Sequence, residues 1–261
     1  MKRSPSSLPG LGALRHRRAP LALAGIATAF GHVAAHGAEA CEAVSSRVVP
    51  PVVELYTSEG CNSCPPADRW LSKLKADPAV IALAFHVDYW DRLGWKDRFA
   101  SAAFTARQRS QQATTGARFS YTPQVVVDGR DRTDWSHATV AASARSAAPV
   151  EVALAHRGDR FVATVAPAAG ALQRLAAYWA VTEQGHVTAV KAGENEGVTL
   201  HHDFVVRDYE PVPAWTARGG AVETLSFNPA TAADAAHPRN VNLIVVDAAN
   251  GRPVQAVKIG C

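Results

Sequence analysis

Hydrophobic and polar positions follow two different rhythms along this chain, and the change falls near residue 149. From 52 to 148, short apolar runs are separated by longer amphipathic stretches. Residues 52–56 read as a strand, and 65–76 as a helix whose apolar face includes Leu71 and Leu74, ended by Pro78. Residues 79–87 are almost continuously apolar, as expected of a strand covered on both faces. A helical stretch over 97–114 would place Phe99, Ala103, Ala106 and Ser110 on one side. Residues 124–127 predict the next strand, Asp128-Gly129 a hairpin turn, and 136–147 a helix of small residues. Beyond 149 the helical period disappears. Short strands are predicted at 150–156, 161–166, 175–181, 187–190, 204–207, 221–227, 241–246 and 254–259, separated by glycine and asparagine turns.

The first part therefore runs βαβαββα, with a Cys-x-x-Cys directly after its first strand. This order predicts an α/β fold, a thioredoxin-like domain over 50–148, followed by an all-β, sandwich-like C-terminal domain over 149–261.

Residues 1–40 read as a signal peptide. Lys2, Arg3, Arg15, Arg17 and Arg18 precede an apolar run, 21–30, too short to span a bilayer. Ala38-Glu39-Ala40 fits a small-x-small cleavage site, which predicts a periplasmic or secreted protein beginning at Cys41. The leader holds 5 of the 27 Lys and Arg and 1 of the 23 Asp and Glu, so 41–261 carries 22 of each sign. The basic balance belongs to the leader. No block of like charge favours nucleic acid or an anionic membrane, and no further apolar run reaches membrane-spanning length, so the mature chain is expected to be soluble.

Four cysteines in an oxidising compartment suggest two disulfides. Cys41 and Cys261 are the ends of the mature chain and are expected to pair as a structural clasp, although a lipid on Cys41 is the competing reading. Cys61 and Cys64 are then left as a separate couple. Pro65 and Pro66 are tolerated only in a helix's first turn, where backbone N–H groups lack intrahelical partners. The helix should therefore start near Cys64, with Cys61 as the exposed attacking sulfur and Cys64 as the buried resolving one. A helix N-terminus favours thiolate. Asn62 and Ser63 would tune the Cys61 sulfur by hydrogen bonding.

A proline directly before a buried strand, as in Thr122-Pro123, is unusual. In this fold type a cis proline here sits against the dithiol, with the preceding residue binding the substrate chain. Glu54, seven residues before Cys61 in an apolar strand, is a candidate to take the proton from Cys64; its alternative is pairing with a Lys or Arg. Trp90, in His86-Val87-Asp88-Tyr89-Trp90-Asp91-Arg92-Leu93-Gly94-Trp95, either walls a substrate site or plugs the core. His86 reads as a hydrogen-bonded core residue.

The segments VELYTSEGCNSCPPAD, FHVDYWDRLGW and YTPQVVVDGR resemble those of an exported bacterial thioredoxin-like family catalogued as a domain of unknown function. Gly193-Glu194-Asn195-Glu196-Gly197 and 201–207 resemble its C-terminal segments. The resemblance implies the fold and a redox-type loop, and brings no substrate or partner.

The resulting expectation is an exported thiol–disulfide oxidoreductase with no metal or cofactor, acting on protein or small-molecule thiols and disulfides and needing a redox partner to supply or remove electrons. Two alternatives remain open. One is a non-catalytic binding protein with a structural Cys61–Cys64 disulfide. The other is copper handling, with His86, His201 and His202 joining the cysteines.

Overall fold

The computed structural model describes residues 41–140, 145–168, 174–217 and 220–261; the expected leader lies outside them. In chain order the strands and helices are β1 (Glu42–Val44), β2 (Val52–Thr57), α1 (Pro65–Lys73), β3 (Ile81–His86), α2 (Ala102–Ser110), α3 (Gln112–Thr115), β4 (Gln124–Val127) and β5 (Arg130–Asp131). There follow β6 (Val150–Arg157), β7 (Arg160–Pro167), β8 (Arg174–Glu183), β9 (His186–Ala189), β10 (Thr199–His202), β11 (Val205–Thr216), β12 (Glu223–Phe227), β13 (Arg239–Asp247) and β14 (Pro253–Ile259).

This architecture corrects the expected fold class. An α/β thioredoxin-like domain followed by a separate β-sandwich is not what the chain forms. Among the described residues it is mostly β, with 43% strand against 15% helix. Strands from both sides of residue 149 share one eight-stranded sheet, in the order β14-β13-β8-β11-β3-β2-β4-β5. The join is a short parallel contact in which Val205 of β11 lies opposite Ala84 of β3, and the Ala84 N–H donates to the Phe204 carbonyl at 2.8 Å. A run such as 79–87 shows that its strand is covered on both faces, but it does not reveal which strand lies beside it.

A second, four-stranded sheet, β1-β6-β7-β12, packs its apolar side on β8, β13 and β14. Val152, Leu154, Ala163 and Val165 meet Leu175, Trp179, Leu243 and Val245 there. Period-two alternation sends the intervening Tyr178, Ala180 and Ile244 to the opposite face, beside Phe85 and Phe104. Helix α1 covers the remaining face of β2, β3 and β4 through Ala67 and Leu71. Each fully buried Val, Leu, Ile or Phe among these contributes about 1.5–3 kcal/mol.

Two helix expectations also change. In place of a helix over 136–147 there is a 3₁₀ turn, Trp135–His137, with Ala138 extended; 141–144 lie outside the described residues. Thr139 and Val140 are β-branched and disfavour helix at that point. The stretch over 97–114 is helical only from Ala102, and it buries Phe104, Arg107 and Gln108 rather than Ala103, Ala106 and Ser110. The β4–β5 hairpin has φ of 50° at Asp128 and 73° at Gly129, the pair of positive values that a type I′ turn requires.

Candidate functional site

Strand β2 ends at Thr57, and the loop Ser58-Glu59-Gly60 carries the chain to Cys61. Cys64 is the N-cap of α1, with prolines at the first two helical positions. Cys61 and Cys64 form a disulfide across this helix start. The Ala67 and Asp68 N–H groups donate to the Cys64 carbonyl at 2.9 and 3.2 Å. Contrary to expectation, Cys61 is not the exposed sulfur: both cysteines are fully buried, and Asn62 and Ser63 are the exposed tip.

What covers Cys61 is a chain of donors. Trp90 Nε1 donates to Thr122 Oγ1 at 2.8 Å, and Thr122 Oγ1 donates to Cys61 Sγ at 3.3 Å. Ser63 Oγ lies 3.4 Å from the same sulfur. The Thr122–Pro123 bond is cis. Gly60 permits this close approach, since a Cβ there would sit a tight 3.1 Å from the Cβ of Trp90. The structure thus brings Cys61, Cys64, Thr122, Pro123, Trp90, Asn62 and Ser63 together. Glu54 is elsewhere, with its carboxylate accepting from Arg107 and Tyr178 on the opposite side of β2.

Residues whose place at the site was not expected close it from behind. The two-stranded β9–β10 unit packs β10 on α1, and the 193–197 turn reaches the dithiol loop. Buried Asn195 donates from Nδ2 to the Glu59 carbonyl at 2.8 Å and to the Cys61 carbonyl at 3.0 Å. Glu194 Oε2 accepts from the Asn62 N–H at 3.2 Å. The glycine-flanked Gly193-Glu194-Asn195-Glu196-Gly197 was visible as a motif, but nothing in it gave its target. Asn195→Ala leaves two buried carbonyls without this donor and should cost about 1–3 kcal/mol. It should also shift the Cys61–Cys64 equilibrium with dithiothreitol; lowered stability with an unmoved equilibrium would make Asn195 a scaffold residue only.

Beneath the loop lies a buried polar cluster. Glu59 Oε2 accepts from Trp95 Nε1 at 2.7 Å, and the Glu59 N–H donates to Asp97 Oδ2 at 2.9 Å. His86 Nδ1 meets the same Asp97 oxygen at 2.6 Å. His202, from β10, stands 3.5 Å from Glu59 and 3.8 Å from Asp68, ion-pair contacts too long for hydrogen bonds. Burial alone would lower the His202 pKa, but Asp68 and Glu59 hold it up at about 9. Burial would raise the Glu59 carboxyl, yet His202, Thr188 and Trp95 together keep it below its ordinary value. His86 is the hydrogen-bonded core residue expected of it. His201, its expected companion, is exposed.

The family model described as "Protein of unknown function (DUF1223)" matches residues 52–246, spanning the dithiol loop, the Thr122-Pro123 segment and the Asn195 turn. The chain belongs to this family. Among solved structures, the family member described here is similar to protein AGR_C_4864 from Agrobacterium tumefaciens, at 26% identity and a TM-score of 0.60, over 82% of this chain and 96% of that one. It is also similar to HBP35 of Porphyromonas gingivalis, at 16% identity and a TM-score of 0.57, over 82% and 76% of the two chains. That second likeness concerns the fold alone. No curated protein matches the chain.

Proposed function

We propose that this DUF1223 protein is an exported thiol–disulfide oxidoreductase whose working couple is Cys61–Cys64. The observation that carries the reading is the hydrogen bond from Thr122 Oγ1 to Cys61 Sγ, at a disulfide set across the first turn of α1. A donor aimed at one sulfur, together with the positive end of the α1 dipole, favours thiolate at Cys61 when the couple is reduced. In the reducing direction, the Cys61 thiolate attacks a substrate disulfide, forming a mixed disulfide and expelling one substrate thiolate. Cys64, having lost its proton, attacks Cys61 Sγ; the second substrate thiolate leaves and the Cys61–Cys64 bond closes, so two electrons pass to the substrate. Oxidation of a substrate dithiol is the reverse. Substrates are thiols or disulfides, and an exported redox partner resets the couple. Trp90 and Thr122 form the wall beside the attacking sulfur, and Asn62 and Ser63 form the exposed rim.

Cys61→Ser is expected to abolish exchange with a small disulfide, and Cys64→Ser to trap the mixed disulfide, both read by intact mass. Unchanged turnover in Cys61→Ser would defeat the proposal.

Burial of both sulfurs favours a second reading, in which the bond is permanently closed and the protein only binds. A structural disulfide lies below about −300 mV, whereas a working couple equilibrates with glutathione or dithiothreitol. Redox titration of the purified protein separates the two.

A further inference from the structure

We propose that Asp68, His86 and His202 form a binding site for a divalent first-row transition ion, with zinc as the ion of first choice. One ligand atom from each of the three lies within 4.8 Å of the others. A tetrahedral zinc shell with bonds near 2.0–2.2 Å needs ligand separations of about 3.4 Å, so the three need to close by up to about 1.4 Å.

The wiring around these residues is that of a ligand set and not of a self-satisfied network. His86 presents Nδ1 to Asp97, which leaves Nε2 buried without a partner. His202 has Asp68 Oδ1 on its Nδ1 side and Glu59 Oε1 on its Nε2 side, both beyond hydrogen-bond range, and both ring nitrogens and Glu59 Oε1 are buried without a partner. Asp68 has Oδ2 fixed by Thr57 Oγ1 at 2.9 Å, which turns Oδ1 toward His202. Each proposed ligand therefore has its other heteroatom beside an outer group: Asp97 for His86, Glu59 for His202 and Thr57 for Asp68. Carboxylate–histidine–metal relays are built this way, with the outer group setting the tautomer and aim of the ring.

Charge points the same way. Glu59, Asp68 and Asp97 are buried together, and among the described residues their ion-pair partners are His86 and His202, with no Lys or Arg. Two imidazoles and a carboxylate suit zinc and its first-row neighbours, and the set contains no sulfur. A surface cavity of about 170 Å³, lined by Pro65, Asp68, Arg69, Leu200, His201 and His202, lies against two of the three ligands. The site is independent of the redox reading: it holds its ion whether or not Cys61 and Cys64 ever open.

The test uses the full chain, stripped with a chelator and kept oxidised, and titrated with Zn²⁺ and separately with Co²⁺. Expected results are one equivalent bound at micromolar affinity or tighter, a rise in Tm with Zn²⁺, and a Co²⁺ spectrum of nitrogen and oxygen ligation without a thiolate charge-transfer band. H86Q and H202Q should each weaken binding more than tenfold. D97N, which removes no ligand, should weaken it 10- to 100-fold. His201→Ala and the Cys61→Ser/Cys64→Ser double variant should leave it unchanged. Absence of binding and of a Tm rise in the unaltered protein overturns the proposal without recourse to any variant. So does binding that survives H86Q and H202Q, or that disappears with the cysteine pair.

Discussion

Replacing Arg107 by leucine is expected to lower the free energy of unfolding by about 3–5 kcal/mol, the loss seen when one member of a buried ion pair is removed. Arg107 lies on the inward face of α2 and is almost fully buried. Its guanidinium donates to Glu54 on the central strand β2 and stands 4.9, 4.2 and 5.0 Å from the ring centroids of Phe85, Tyr178 and Tyr209. With its amide oxygen turned toward Arg107, Gln111 accepts at 2.6 and 3.0 Å and donates to Tyr56. Burial opposes the charge on Arg107, but Glu54 together with Tyr56, Tyr178 and Tyr209 outweighs it and keeps the guanidinium charged. Leucine would leave the Glu54 carboxylate facing Tyr178 alone in a dry aromatic box. Changing Glu54 and Arg107 together to apolar residues of similar volume should recover most of the loss, because no orphaned charge remains. Urea midpoints at constant m-value read both results. A loss below about 1 kcal/mol for the single change would mean that the pair is hydrated in solution.

The second large effect concerns the clasp. Cys41 and Cys261 are joined over a sequence separation of 220 residues. The loop-entropy model gives roughly 5 kcal/mol for a closure of that length, and native disulfides in exported domains contribute about 2–5 kcal/mol. The anchoring around the bond is thin. β1 is a three-residue edge strand on β6, and β14 is the edge of the large sheet. Cys41→Ser/Cys261→Ser should therefore lower the denaturant midpoint by an amount within that range. Hydrogen exchange should speed up first in β1, with the dithiol loop unaffected. Wild-type stability in the double variant would show that the unfolded chain is already restrained by other means. Intact mass of the purified protein checks both the cross-link and whether Cys41 carries a lipid.

How much of this was legible beforehand depended on whether a residue's role is local. The dithiol loop, the start of α1 at the two prolines and the Asp128-Gly129 turn were readable because each is dictated within a few residues. The strand 79–87 was readable because its apolar run is continuous. The shared sheet was not, because the pairing of β11 with β3 joins residues about 120 positions apart through a short contact. The buried side of α2 was missed for a different reason. Its inward positions are Phe104, Arg107 and Gln108, so a search for apolar periodicity chose the exposed alanines. Asn195 and the pairing of His202 with Glu59 and Asp68 share that character: they are polar groups whose partners lie more than a hundred residues earlier.

The placement of β3 has a consequence for how the molecule is made. Its inner edge is completed only by β11, so a chain synthesised or translocated from its N-terminus exposes a bare strand beside the dithiol until residues past 205 arrive. Pairing of such sequence-distant strands is slow, and an open apolar edge invites foreign strands meanwhile. A fragment ending near 149 should therefore aggregate instead of standing as a free domain.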